Sequence, residues 1–172
     1  FLGFLWTFVN PLMQLVVYSL MFPFILKISE KNYAMFLFVT LIPWGFFTNS
    51  IQGACGVIIG NSNLVTKVYF PREILPITHT LSGLFNTIFS YMIVFPMLVI
   101  FNIPLTINLL WLPIILIFQT VLNLGFSLIV SSINVFFRDL EYLINVGLMA
   151  LYFMTPIMYN INILPLKYQR IL

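Results

Sequence analysis

The chain has 172 residues, 62% of them hydrophobic and 6% charged, with a formal net charge of +3 and a mean hydropathy of +1.10. That composition excludes a soluble globule, which would leave large apolar surfaces in water, and implies an integral membrane chain. The few Lys and Arg form no basic tract and sit at the ends of apolar runs, so snorkelling to membrane lipids explains them and no nucleic-acid partner is implied.

Seven basic and four acidic residues fall into four clusters: Lys27/Glu30/Lys31, Lys67/Arg72/Glu73, Arg138/Asp139/Glu141 and Lys167/Arg170. The uncharged runs between them, residues 1–26, 32–66, 74–137 and 142–166, hold 26, 35, 64 and 25 residues. A bilayer core of about 30 Å takes about 20 helical residues to cross, so the runs predict one, one, two and one spans. They lack the short alternation of a transmembrane barrel, and the expected fold is an all-α, polytopic membrane helical bundle with five spans.

Span one is expected over residues 2–25, with Asn10-Pro11 near its middle and Pro23 near its end, followed by a turn at 27–32. Span two, residues 33–59, contains Pro43-Trp44 and ends at Gly56 and Gly60, a GxxxG spacing that permits close helix contact. The longest polar connection is 61–76. Asn61 to Asn63 can cap a short helix there, Leu64, Val65, Val68 and Tyr69 give it an apolar side, and Pro71 and Pro76 redirect the chain. A short amphipathic helix across the membrane face is expected.

Spans three and four, residues 77–101 and 109–136, are joined by a tight turn at 102–105. A short charged connection at Arg138 to Glu141 leads to span five, residues 142–159, interrupted at Thr155-Pro156. Residues 160–172 are too short and polar to cross and read as an interfacial or re-entrant helix. The 172 residues form a single transmembrane domain. With an opening that has no Met and no cleavage-like motif, a fragment of a longer protein is expected. Loops after spans two and four hold three Lys or Arg and those after spans one and five hold four, so the charge bias does not set orientation.

Polar side chains inside the spans recur at helical spacing. Span two carries Thr48, Asn49 and Gln52, span three His79, Ser82, Asn86 and Ser90, and span four Gln119, Asn123, Ser127, Ser131 and Asn134. Such faces either line a hydrophilic path or bond helix to helix, and both readings stand. Candidate path residues are Trp44, Phe47, Asn49, Gln52, Asn86, Ser90, Tyr91, Gln119 and Asn123. Aromatics, 17% of the chain, anchor at interfaces or face lipid by default, and a path lined by them would suit the apolar faces of sugars.

No Asp, Glu, Lys or Arg lies deep in a span, which argues against self-powered ion coupling; energy for moving a solute would arrive from another subunit through a loop. His79 lacks companions for a metal site and reads as a hydrogen-bonded interfacial histidine, while Cys55 reads as a small buried residue. No nucleophile and base pair, Gly-rich phosphate loop or carboxylate pair is present, so neither catalysis nor a cofactor of this chain's own is expected.

Six blocks in order carry a family resemblance: Leu2-Gly3-Phe4-Leu5-Trp6 with Asn10-Pro11; Ile42-Pro43-Trp44-Gly45-Phe46-Phe47; Asn61-Ser62-Asn63-Leu64-Val65 through Phe70-Pro71-Arg72-Glu73; Asn134-Val135-Phe136-Phe137-Arg138-Asp139; Thr155-Pro156-Ile157-Met158-Tyr159; and Pro165-Leu166-Lys167-Tyr168. In these the chain resembles the permease subunits of ABC exporters for O-antigen, teichoic acid and capsule-type polysaccharides. The resemblance implies a six-span permease of the bacterial cytoplasmic (inner) membrane, acting as a homodimer on a lipid-linked glycan. It pairs with two copies of a cytoplasmic ABC ATPase that holds the ATP and Mg.

By the same resemblance the loops after spans two and four face the cytoplasm. A coupling helix over 64–74 would present Leu64, Val65, Lys67, Val68, Tyr69, Phe70, Arg72 and Glu73 to the ATPase, with Arg138, Asp139 and Glu141 as a second contact. Residues 160–172 look like the external re-entrant region, and the family's N-terminal interface helix and sixth span are absent. Other readings are a drug or small-lipid exporter of the same superfamily, a membrane-embedded glycan-processing enzyme, and a structural anchor.

Overall fold

A computed structural model describes residues 9, 12–14, 16, 17, 20, 33–67, 69, 71–104 and 106–157. Within the first expected span the described residues are helical; the rest of that span, the Lys27/Glu30/Lys31 cluster, Val68, Phe70 and residues 158–172, with Lys167 and Arg170, lie outside the described residues. The remaining elements are α1 (Tyr33–Gly60), α2 (Ser62–Lys67), α3 (Ile74–Ile100), a 3-10 turn (Ile107–Trp111), α4 (Leu112–Phe136) and α5 (Leu140–Met154).

Each boundary has a local cause. At the end of α1 the Asn61 side chain donates to Val57 O at 2.8 Å, while its own carbonyl accepts from Leu64 N and Val65 N at 2.9 and 3.0 Å. One residue thus closes α1 and opens α2. In α3, Pro76 sits in the first turn, where a missing N–H costs no helical bond. Its far end closes with Ile103 N bonding Leu98 O (2.9 Å) and Asn102 N bonding Val99 O (3.1 Å), with Asn102 at φ 54°. Asn tolerates that left-handed conformation, and the paired bonds satisfy the last carbonyls.

Two expectations change in detail. The helix expected over 64–74 is the six-residue α2, ending at Lys67; Tyr69 and Pro71 are not helical, and Arg72 and Glu73 form the turn into α3. Span five was expected to reach Tyr159, but α5 ends at Met154 after 15 residues. Thr155 adopts an extended ψ of 136°, the conformation imposed by a following proline, so α5 stops at Thr155-Pro156. At 1.5 Å per residue α5 is about 22 Å long, short of a full crossing. Among the described residues three stretches are long and apolar enough to cross, Met35–Gly60, Ile74–Ile100 and Ile107–Phe136; the first expected span lies largely outside the described residues, and α5 is shorter than the fifth.

α1 is the central helix. Its contacts pair residue 49 with 79 and 46 with 83 on α3, antiparallel; 46 with 123 and 55 with 134 on α4, parallel; and 52 with 145 on α5, antiparallel. One apolar cluster (Met35, Phe38, Tyr91, Val94) packs α1 against the end of α3. A second (Ile51, Cys55, Val130, Leu148) joins α1, α4 and α5. Between them lies a buried polar layer that includes Ser50, Thr80, Asn123 and Ser127, while Phe118, Phe136, Val146 and many other large apolar side chains point outward. Polar inside and apolar outside is the arrangement a lipid solvent selects.

Candidate functional site

The polar face of α4 turns onto the backbone of α1. Asn134 Nδ2 donates to Cys55 O at 2.7 Å and Ser127 Oγ to Ser50 O at 3.2 Å. Asn123 Nδ2 lies 3.4 Å from both Phe46 O and Ser50 Oγ, and Gln119 Nε2 donates to Pro43 O at 2.6 Å. Helix carbonyls retain a second lone pair, so α1 accepts these bonds without losing its own. This face bonds helix to helix. It leaves three buried amide oxygens, Gln119 Oε1, Asn123 Oδ1 and Asn134 Oδ1, without a partner.

The polar face of α3 does something else. His79, Ser82, Asn86 and Ser90 line a cavity of about 600 Å³ whose other wall is Trp44, Asn49 and Gln52 of α1, with Gln14 contributing from the first helical segment. His79 Nε2 lies 3.1 Å from Asn49 O, the hydrogen-bonded role expected of it. That contact depends on Gly53, because a Cβ built there would overlap the imidazole. Gly83 eases the approach of the Phe46 ring more mildly, since a Cβ there would stand 3.2 Å from it. Gln52 also donates to Asn145 Oδ1 of α5 at 2.9 Å, tying the cavity wall to that helix.

The nine candidate path residues therefore divide. Trp44, Asn49, Gln52, Asn86 and Ser90 line the polar cavity. Phe47 and Gln119, with Trp44 shared between the two, line a second groove between α1 and α4, where Phe47 stands edge-on to Phe126 at 6.2 Å and Trp44 meets Tyr152 at 5.6 Å. Tyr91 belongs to the apolar core and Asn123 to the buried polar layer. Sequence reasoning missed Ser50, Gly53 and Thr80, whose hydroxyl lies 3.0 Å from Ser127 Oγ. Nothing in their spacing distinguishes them, since their roles come from neighbours remote in the chain. Gly56 and Gly60 have open space where a Cβ would stand, so their GxxxG spacing packs no helix among the described residues.

The two charged connections meet at one end of the bundle. Val65, Arg72 and Glu73 from the first and Arg138 from the second line one cavity of about 490 Å³. Leu64, Lys67, Tyr69, Asp139 and Glu141 point outward and are exposed, Tyr69 fully. Six residues of α2 and a tight turn thus present an apolar and cationic edge to whatever lies beyond the membrane.

Comparison with known proteins follows the same lines. The profile of the family described as ABC-2 type transporter matches residues 1–172. Two proteins from Klebsiella pneumoniae named O-antigen export system permease protein RfbA are each 30% identical over 99% of this chain. A Myxococcus xanthus protein of the same name is 33% identical over 94% of it. The chain spans just under two thirds of these relatives, 66% of the first two and 62% of the third.

Proposed function

This chain belongs to the ABC-2 type transporter family, and on that footing we propose that it is part of a permease exporting a lipid-linked polysaccharide. The glycan is of O-antigen, teichoic acid or capsule type, and the membrane is the bacterial cytoplasmic (inner) membrane. Chemistry resides elsewhere: ATP and Mg belong to a cytoplasmic ABC ATPase, and this chain is not an enzyme. A second copy completes the permease, and the open space around Gly56 and Gly60 leaves room for one of its helices.

The observation that carries this reading is the meeting of two charged connections at one end of a bundle whose helices α1, α3 and α4 hold no Asp, Glu, Lys or Arg. A carrier without intramembrane charge lacks the ionisable groups that ion-coupled transport usually employs. Its energy enters from outside, and α2 is placed to receive it. Only Asn61 separates α2 from α1, so a displacement of α2 passes directly into the central helix that carries Trp44, Asn49 and Gln52. The amide and hydroxyl lining offers donors and acceptors to sugar hydroxyls without binding them as ions.

The test uses the full-length permease reconstituted with its ATPase. Tyr69→Ala with Leu64→Ala removes the exposed apolar groups of the α2 edge and should weaken association with the ATPase by about tenfold, in the range for truncated interface anchors. Nucleotide hydrolysis stimulated by the permease should fall with it, while membrane insertion is unchanged. Stimulation equal to that of the unaltered protein would overturn the assignment.

A further inference from the structure

The cavity at the charged end has walls of two kinds. Arg72 and Arg138 line it together with Ser62 and Thr66, and Leu128 and Phe136 of α4 add an apolar wall. Both arginines are exposed, and neither forms an ion pair among the described residues. Glu73 lines the same space, so the wall carries two positive charges against one negative. The two cations come from connections more than sixty residues apart in sequence, and the packing of α3 and α4 against each other and against α1 brings them to one cavity.

Two forked cations and nearby hydroxyls match a phosphate ester, which accepts several hydrogen bonds and carries the opposite charge. Inorganic phosphate would have no use for the apolar wall. A lipid would: its headgroup would meet Arg72 and Arg138 while its chain descends past Leu128 and Phe136, the latter largely exposed on the outer surface of α4. Basic pockets between membrane helices are suited to anionic headgroups in this way.

We propose that the cavity between the two charged connections binds the phosphate diester headgroup of an anionic bilayer phospholipid, held by Arg72 and Arg138 with its chain along α4. Such a lipid would bridge α2, α3 and α4 and fix the spacing of the two connections. The proposal goes beyond the exporter reading and does not require it. Lysine at the same end is differently placed: Lys67 is exposed on α2 and does not line the cavity.

The full-length protein is placed in nanodiscs of phosphatidylglycerol and phosphatidylcholine in equal parts, and the protein-immobilised fraction of spin-labelled phosphatidylglycerol is compared with that of spin-labelled phosphatidylcholine. No ATPase or nucleotide is added, so this outcome and that of the coupling experiment are independent. Arg138→Gln should lower the preference for phosphatidylglycerol about fivefold, and Arg72→Gln with Arg138→Gln about thirtyfold if the two contacts act separately. Lys67→Gln should leave it near its original value, and excess inorganic phosphate should not displace the lipid.

A preference that survives the double substitution overturns the proposal, as does equal loss of both lipids or displacement by inorganic phosphate. If the double variant does not fold, the single Arg138→Gln variant, whose site lies on an exposed turn, decides the matter by the same ratio.

Discussion

Gly53→Ala is the smallest change expected to disturb the cavity wall. The new methyl group would occupy the volume of the His79 imidazole, so the ring must swing away and its contact with Asn49 O at 3.1 Å must break. Forcing an extra methyl into a packed contact costs about 1–3 kcal/mol, and an interhelical hydrogen bond in a membrane contributes about 0.6 kcal/mol. Together they place the loss near 2 kcal/mol. The measurement is reversible unfolding of the full-length protein in mixed micelles titrated with a denaturing detergent. His79→Ala alone should cost only about the hydrogen bond. In that background Gly53→Ala meets no ring and should be neutral or slightly stabilising, because Ala is the better helix former by about 0.5–1 kcal/mol. The cycle therefore predicts a coupling of about 2 kcal/mol between positions 53 and 79. Penalties that add to within about 0.5 kcal/mol would show that the two do not meet and refute the reasoning.

The buried amides of α4 should rank by bond length. Asn134→Ala breaks a 2.7 Å bond to Cys55 O and should cost about 1 kcal/mol in the same unfolding assay, whereas Asn123→Leu replaces two 3.4 Å contacts and an unpartnered oxygen and should be close to neutral; the reverse order would count against the ladder. Asn86→Leu, in the wall of the polar cavity, should slow glycan export by the full-length permease and its ATPase by about tenfold, roughly 1.4 kcal/mol, without changing stability. Gln119→Leu should do the opposite, because its amide bonds Pro43 O instead of lining that cavity; equal effects on export would remove the distinction between the two faces.

The helix ends were readable because each has a chemical marker. Charge cannot enter the apolar core, so Lys67, Glu73, Arg138 and Asp139 bracket α3 and α4 closely, and Asn102 with Pro104 marks the turn between them. The stop at Met154 was less legible: the residues after Pro156 remain apolar, and composition does not register how far an extended Thr155 has turned out of the helix. Function inside the spans was less legible. The faces of spans three and four use the same residue types at the same spacing, yet Asn86 lines a cavity and Asn123 is wholly buried against α1. What separates them is the helix opposite, which no local pattern records. Gly53 likewise looks like any glycine until His79 is laid across it.

The bonds between α1 and α4 have an unusual degeneracy. Asn134, Ser127, Asn123 and Gln119 all reach α1 through main-chain carbonyls, and a carbonyl one turn along a helix looks the same as its predecessor. If α4 slid by a turn, about 5.4 Å, each amide would find an equivalent acceptor. The side facing α3 is more constrained, since the His79 ring occupies the space left by the missing Cβ of Gly53 and the Phe46 ring sits tight against Gly83. One neighbour of the central helix is thus indexed to it like a key in a slot, while the other rests on a rail.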